Sequence, residues 1–289
     1  MMALSRRAMF RLGFWGVVGS AAGTLGYTWR VEPHWIEVVQ RELPIAGLPA
    51  RLHGRTLVQI SDLHIGPIVD DDYIADALER VASLRPDVLA VTGDFMSCRG
   101  VEEIDKTIGL LKRHLEPARL ATLAVLGNHD YGSGWKQPHV AAQLTAGLQD
   151  VGVHVLRNEA VDVEGLSIGG MDDLWSGQFK PERLLPNLQR QQASLVLCHN
   201  PDAVDQPVWA GYQGWILSGH THGGQCKPPW GAPPILPVNN HRYAAGAIDL
   251  GDGRHLYVNR ALGYLKRVRF NVRPEITVFT LTSQPARDA

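Results

Sequence analysis

"RTLVQISDLHIG" (residues 55–66) joins an apolar run of strand length to Asp62 and His64, which lie two positions apart. A short apolar run bounded by turn-forming residues is typical of a strand buried in a sheet. Residues i and i+2 of an extended segment point to the same side, so Asp62 and His64 are placed to act on one ligand. The next question is whether other strands end in the same kind of residue.

Strands and helices alternate along the first half of the chain. We predict strands over 55–61, 87–93 and 120–127, and helices over 71–84, 101–115 and 136–152. The second half contains more strands, over 153–156, 160–165, 166–171, 193–199, 214–220 and 275–281, with a hairpin over 244–260 and a helix near 180–192. This alternation predicts an α/β domain with a mainly parallel sheet, which we place over 53–283.

Metal-binding types of side chain follow five of these predicted strands. They are Asp62 with His64, Asp94, Asn128 with His129 and Asp130, His199, and His220 with His222. Ligands of α/β sheets bind beyond the carboxyl ends of the strands, so these side chains are expected at one edge of the domain. Taken singly, each has an ordinary explanation, since aspartate caps helices and "GNHD" suits a turn. Five such coincidences, all at strand ends, instead favour one shared site.

The ligand chemistry of this edge predicts a binuclear metal site. Carboxylate, imidazole and amide oxygen together suit manganese, iron, zinc or cobalt better than calcium. The candidate ligands outnumber the three or four that one catalytic zinc takes from protein. They are Asp62, His64, Asp94, Asn128, His199, His220 and His222. Two divalent ions that share one carboxylate use them all, and we assign Asp94 as the shared one.

The order D-x-H, GD, GNHD, H and GHTH resembles the calcineurin-like metallophosphoesterase family, over about residues 55–282. The resemblance implies a four-layer αββα sandwich, in which two mixed β-sheets lie face to face between outer helices. It implies one metal site of Asp62, His64, Asp94 and His222, and a second of Asp94, Asn128, His199 and His220. His129 matches the family's histidine near the leaving group, and we expect Asp130 or the backbone to position it.

A narrower resemblance concerns the substrate. The segments "SDLHIG", "LGNHDYG", "SGHTHGGQ" and "RFNVRPEITVFTL" are similar to those of membrane-associated phosphodiesterases related to UDP-2,3-diacylglucosamine pyrophosphatases. We therefore expect metal-activated hydroxide to cleave a phosphodiester or pyrophosphate bond, in a substrate resembling UDP-2,3-diacylglucosamine or in a phospholipid. The alternatives are a non-catalytic, membrane-tethered binding protein on the same fold, and a protein phosphatase or nucleotidase.

The N-terminus has a composition of its own. Residues 12–29 contain no charged side chain and follow Arg6, Arg7 and Arg11, and "SRRAMFR" (5–11) resembles a twin-arginine export signal. We expect a signal or membrane anchor over 1–30, with a buried or amphipathic helix as the alternative, and a connector over 31–52. The catalytic domain is then expected on the outer side of a bacterial membrane, with the cytoplasmic face as the alternative.

Composition limits the partners. A net charge of −1, without a basic tract, argues against a nucleic-acid partner. Cys98, Cys198 and Cys226 contain no C-x-x-C spacing, so we expect buried thiols. The proline-rich loop 227–238 either docks acyl chains or a membrane or covers the core. A basic group before the last strand either binds phosphate or lipid headgroups or forms a solvated face: Lys266, Arg267, Arg269 and Arg273.

Overall fold

The helices and strands follow the predicted order along the chain. The computed structural model describes residues 6–97, 101–188, 193–209 and 211–284. The α-helices are α1 (Arg6–Gly26), α2 (Asp71–Ser83), α3 (Glu102–His114), α4 (Pro138–Asp150) and α5 (Pro181–Leu188). The strands are β1 (Glu37–Ile45), β2 (Thr56–Ile60), β3 (Val88–Thr92), β4 (Ala121–Val125), β5 (His154–Val155), β6 (Glu159–Val163), β7 (Leu166–Met171), β8 (Ser194–Cys198), β9 (Gly214–Ser218), β10 (Gly246–Asp249), β11 (Arg254–Val258) and β12 (Glu275–Ser283).

The strands form two six-stranded sheets, each of them mixed. The first sheet has the order β1-β12-β2-β3-β4-β5, and the second has the order β10-β11-β9-β8-β7-β6. In the first sheet β2, β3, β4 and β5 run parallel, while β12 is antiparallel to β2. In the second sheet β7, β8, β9 and β11 are parallel, and β6 and β10 close the edges antiparallel.

Alternate residues of each strand reach opposite sides of its sheet. Leu57 of β2 packs between the sheets with Leu195 and Leu217 of the second sheet, whereas its neighbour Val58 packs on the outer side against helical residues such as Leu78. The outer side of the second sheet packs against α5. Full burial of a leucine or valine side chain contributes about 1.5–3 kcal/mol to the free energy of folding. Apolar residues on both sides of each sheet therefore stabilise the packing of sheets and helices. The predicted αββα arrangement, with two mixed sheets flanked by helices, is confirmed.

The segment expected to be a connector, 31–52, contains strand β1. β1 pairs parallel with β12 from Glu37 opposite Glu275 to Ile45 opposite Ser283, so the folded unit begins before the predicted boundary at residue 53. The strand was not predicted because its central residues are polar and exposed, and Pro44 interrupts its pattern. An edge strand tolerates this proline, since one side of an edge strand needs no hydrogen-bond donors.

Helix α1 extends from the domain without a buried residue. Its exposed apolar side chains include Phe10, Trp15 and Leu25. In the described part of the chain, no helix combines the length and apolar character needed to cross a membrane. Of the cysteines expected to be buried, Cys198 is buried and Cys226 is half-buried. Cys98 lies outside the described residues, as do residues 1–5 of the predicted signal or anchor and 189–192 of the predicted helix.

Candidate metal centre

The carboxyl ends of β2, β3, β4, β8 and β9 lie together and bring in all of the predicted metal ligands. All of these side chains are buried. Two triads have ligand atoms that all lie within 4.8 Å of one another: Asp62, His64 and His222, and Asp94, His199 and His220. Each triad takes residues from both sheets, so the centre forms where the two sheets face each other.

The first triad has its two histidines in contact. Nε2 of His222 lies 3.2 Å from Oδ1 of Asp62 and 3.0 Å from Nε2 of His64. The His64 Nε2 atom is 3.9 Å from the same Asp62 oxygen. Three ligand atoms therefore point at one small volume, which is the arrangement expected around a metal ion.

Asp94 connects this triad to the second one. Its Oδ2 atom lies 3.2 Å from Nε2 of His199 and 3.6 Å from Nε2 of His64. Its Oδ1 atom accepts a hydrogen bond of 2.9 Å from the backbone N–H of His129. The second triad is completed by His220, whose Nδ1 atom lies 3.1 Å from Nε2 of His199. One carboxylate oxygen thus faces a histidine of each triad, which is the position expected for the shared ligand.

Backbone carbonyls orient the two histidines of the second triad. Nδ1 of His199 lies 2.7 Å from the carbonyl oxygen of Thr92, and Nε2 of His220 lies 3.0 Å from that of Pro237. Each ring donates a proton to its carbonyl, so in the neutral form of the ring the other nitrogen presents a lone pair to the centre. Such an outer hydrogen bond is the usual partner of a metal-binding histidine.

Several buried polar atoms of the centre have no hydrogen-bond partner within the described ranges. They are both amide atoms of Asn128 and the Nδ1 atoms of His64 and His222. Leaving a buried polar group unpaired costs about 1–3 kcal/mol. Asn128 directly precedes His129, whose backbone N–H binds Asp94, and an amide oxygen together with carboxylate and imidazole suits a divalent transition metal. The residues present therefore fit the implied metal ions.

The backbone at the centre adopts unusual conformations. Five of the candidate ligands have positive φ: Asp62 at 53°, His64 at 48°, Asp94 at 54°, His220 at 71° and His222 at 51°. A non-glycine residue in this left-handed region costs of order 1–3 kcal/mol, and such strain concentrates at functional sites. Position 219 has no room for a side chain, because a Cβ added to Gly219 would overlap Ser61 Oγ and Asp62 Oδ2.

Electrostatics keep the carboxylates charged and two of the imidazoles neutral. Burial alone raises the pKa of Asp62 and Asp94, but the neighbouring histidines outweigh it and leave both pKa values below the ordinary carboxyl range. Burial lowers the pKa of His64 and of His220 to about 3. The pKa of His199 is raised, because the charge of Asp94 outweighs the effect of burial. Deprotonated carboxylates and neutral imidazoles are the forms that bind a metal.

His129 lies at the accessible side of the first triad. Its ring centroid is 4.9 Å from that of His64, and its Nδ1 atom lies 3.3 Å from the carbonyl oxygen of Ser97. We expected either Asp130 or the backbone to position His129, and this contact is made by the backbone. The side chain of Asp130 contacts backbone groups of neighbouring segments. Its carboxylate accepts bonds from three backbone N–H groups, those of Phe95, Met96 and Gly127.

Three residues near the centre were not predicted from the sequence. Trp135 and Trp175 stack on one another beside His129 and His220. Asp173 is buried, and burial raises the pKa of its carboxyl to about 6. Asp173 follows β7. The search for metal-binding side chains after predicted strands, here called the strand-end criterion, would have found it if it had been applied to the segment 166–171. Neither tryptophan follows a strand directly, and the sequence contains no comparable signal for them.

Two mixed sheets with a buried aspartate, histidine and asparagine cluster at their strand ends define a metal-dependent phosphoesterase. The family model described as calcineurin-like phosphoesterase matches residues 55–224. The chain belongs to this family, as its motifs predict, and it is a phosphoester hydrolase. The family uses divalent metals, for which the two triads are the candidate ligands.

Similar proteins match over nearly the whole chain. An uncharacterised metallophosphoesterase of Bacillus subtilis, YkuE, is 33% identical and the match covers 98% of this chain and 99% of the relative. The phosphodiesterase YaeI of Escherichia coli is 32% identical, with 89% and 92% covered. The UDP-2,3-diacylglucosamine pyrophosphatase LpxG of Chlamydia muridarum is 28% identical, with 92% and 95% covered.

Proposed function

We propose that this chain hydrolyses a phosphodiester or pyrophosphate bond with two divalent metal ions. The observation that carries the proposal is the position of Asp94 Oδ2 between His64 and His199, which joins the two triads. Asp62, His64, Asp94 and His222 would hold one ion, and Asp94, Asn128, His199 and His220 would hold the other; each set contains one of the two buried triads. Manganese, iron, zinc and cobalt all suit this ligand set.

The protein's own residues orient the substrate and move a proton. When bound, the two ions supply an activated water and neutralise charge on the phosphoryl oxygens. His129 donates from Nδ1 to the Ser97 carbonyl, so Nε2 is the atom left to face the substrate. In the doubly protonated form of the ring, the proton on Nε2 passes to the departing oxygen and leaves a neutral imidazole that still donates from Nδ1. Asp130 supports the turn that carries Asn128 and His129 through its bonds to backbone N–H groups.

A mutational assay tests this proposal. The purified protein should release p-nitrophenolate from bis(p-nitrophenyl) phosphate when Mn²⁺ is present, and a chelator should abolish the release. His129→Ala should lower kcat about 100-fold or more while elemental analysis still finds two metal ions per chain. Asp94→Asn should instead lose metal. Absence of metal-dependent turnover with any phosphoester would contradict the proposal, and would favour a binding protein on the same fold.

We propose further that the substrate is linked to lipid. Trp230 and Ile235 of the loop 227–238 are 88% and 78% exposed, and the loop is tied to the centre through the bond between Pro237 and His220. Exposed apolar side chains beside a polar site suit acyl chains. The name of the LpxG relative, a UDP-2,3-diacylglucosamine pyrophosphatase, supports a substrate of this class. A phospholipid is the alternative lipid-linked substrate.

The lipid proposal is tested by comparing substrates that differ only in acyl length. Trp230→Ser combined with Ile235→Ser should raise KM for a long-chain substrate and leave KM for its short-chain analogue unchanged. The matched control is Leu120→Ser, which changes an exposed apolar residue on the loop before β4. Equal effects on both substrates would refute a role of the loop in binding acyl chains.

We also propose that residues 1–30 act as an export signal or membrane anchor and place the catalytic domain outside the cytoplasm. At the end of α1, the ring centroid of Trp29 lies 5.2 Å from the guanidinium carbon of Arg30 and 5.9 Å from that of Arg267. Tryptophan with basic residues is the composition of a membrane interface. A reporter that works only outside the cytoplasm, fused at the C-terminus, should be active. Activity of a cytoplasmic reporter alone would assign the domain to the cytoplasmic face.

A further inference from the structure

Two stacked tryptophans border the candidate metal centre. The rings of Trp135 and Trp175 are nearly parallel, at 24°, with centroids 5.2 Å apart. Trp175 meets His220 edge to face at 4.5 Å, and Trp135 lies 5.9 Å from the ring of His129. The pair thus spans from the second triad to the histidine proposed to protonate the leaving group. We refer to Trp135 and Trp175 as the indole pair.

The backbone holds both indoles in place, and at Trp135 it does so with strain. Trp135 has φ of 61°, in the left-handed region, where a bulky side chain is a genuine outlier. Trp175 lies on a tight turn in which Oδ1 of buried Asp173 accepts from the N–H groups of Trp175 at 2.8 Å and Ser176 at 2.9 Å. Strain that persists beside a reactive centre points to a functional use of the strained residue.

The indole pair reaches solvent at the mouth of the centre. Trp135 is 36% exposed, and His129 beside it is half-buried, whereas His220 behind Trp175 is buried. A ligand whose phosphate occupies the metal centre therefore presents its neighbouring group to the indoles. Indole faces bind flat rings by stacking, without regard to the exact pattern of hydrogen-bonding groups.

We infer that the indole pair is a stacking subsite for a flat ring that the substrate carries next to its scissile phosphate, as a nucleoside phosphate does. The inference rests on the proposed function for the position of the phosphate. The subsite is distinct from the loop 227–238, so one substrate could place a ring on the indole pair and acyl chains on the loop. A nucleobase and a simple aryl group share the required chemistry.

Calorimetric titration of the metal-loaded protein tests the subsite without relying on turnover. The ligands are UMP, phenyl phosphate, ribose 5-phosphate and octyl phosphate. UMP should bind more tightly than ribose 5-phosphate, and Trp135→Gly and Trp175→Leu should each raise its Kd about tenfold. Neither variant should change the Kd of ribose 5-phosphate. Trp215→Phe is the control, because Trp215 stacks on His255 at the far end of β9.

The variants and ligands separate the possible outcomes. Trp135→Gly suits the left-handed backbone, so a loss of affinity in this variant does not come from backbone strain. Tight binding of UMP but not of phenyl phosphate identifies a nucleobase subsite, and tight binding of both identifies a general flat-ring subsite. Equal affinity for UMP and ribose 5-phosphate, unchanged UMP affinity in both variants, or an equal loss of affinity for octyl phosphate and UMP in the variants would overturn the inference. Failure of hydrolysis alone would overturn only the proposed function.

Discussion

The two oxygens of Asp94 have separate roles. Oδ1 is held by the backbone N–H of His129, and Oδ2 faces His64 on one side and His199 on the other. The hydrogen bond to Oδ1 fixes the carboxylate plane and therefore the direction of Oδ2. A single backbone contact from the residue after Asn128 thus links the proposed shared ligand to the proposed proton donor.

The substitution Gly219→Ala tests whether Asp62 needs the space beside Gly219. Gly219→Ala would place a Cβ against Ser61 Oγ and Asp62 Oδ2 and 2.8 Å from Ser61 Cβ, so the turn after β2 that carries Asp62 must shift. A displacement of about 1 Å at a catalytic group costs about 100-fold in rate, so we expect kcat/KM to fall by that order. The phosphodiesterase assay and metal analysis measure the loss.

Gly109→Ala is the control for this substitution. Gly109 lies in α3, where an added Cβ would meet only a distant arginine side chain, and alanine favours a helix. The control should therefore keep full activity and gain up to about 1 kcal/mol of stability. If Gly219→Ala also keeps its activity and both metal ions, Asp62 does not require the space beside Gly219.

At the scale of elements, the strand-end criterion predicts most of the site. Apolar runs identify β2, β3, β4, β8 and β9, and parallel strands bring their carboxyl ends to one edge. Chain order and residue type then suffice to propose the ligands. The criterion says nothing about contacts between loops, so it does not predict the indole pair. It also does not reveal that Asp130 binds the backbone, because that depends on the exact turn around Gly127.

Strand β1 shows a second limit of prediction from sequence. Its exposed central residues and Pro44 conceal the alternation that identifies a strand, although Leu43 and Ile45 are buried between the sheets. Pairing with β12, more than 200 residues away in the sequence, supplies the order that the local pattern does not. Long-range pairing of this kind overrides local propensity.

The contribution of β1 can be measured by truncating its core residue. Leu43 is fully buried, so Leu43→Ala should lower the free energy of unfolding in urea by about 2–5 kcal/mol. Gln40→Ala changes an exposed residue of the same strand and should have an effect within about 0.5 kcal/mol. Equal stability of the two variants would show that β1 does not contribute to the core in solution.

At the scale of the whole molecule, the metal centre lies where the two sheets meet. Because both sheets supply ligands, bound metal ions should hold the sheets together and stabilise the folded chain. Removal of metal with a chelator should lower the unfolding temperature, by an amount equivalent to about 2.7 kcal/mol for each ion lost when free metal had been 100 times its Kd. Differential scanning calorimetry measures the change.

Asp94→Asn provides the matched comparison for metal removal. This variant is expected to bind metal poorly, so a chelator should leave its unfolding temperature nearly unchanged. The same decrease in the variant and in the wild type would mean that the chelator acts elsewhere on the molecule. An unchanged wild type would mean that the ions, if bound, do not link the sheets.

Because both sheets supply ligands, the metal ligands are synthesised at different times. Asp62, His64, Asp94 and Asn128 are made early, but His199, His220 and His222 follow in the last third of the chain. A growing polypeptide that has completed β2 to β5 thus possesses both carboxylates, His64 and Asn128, but lacks the other three histidines. Both proposed ligand sets are complete only after synthesis has passed residue 222, so the finished site depends on the last third of the chain.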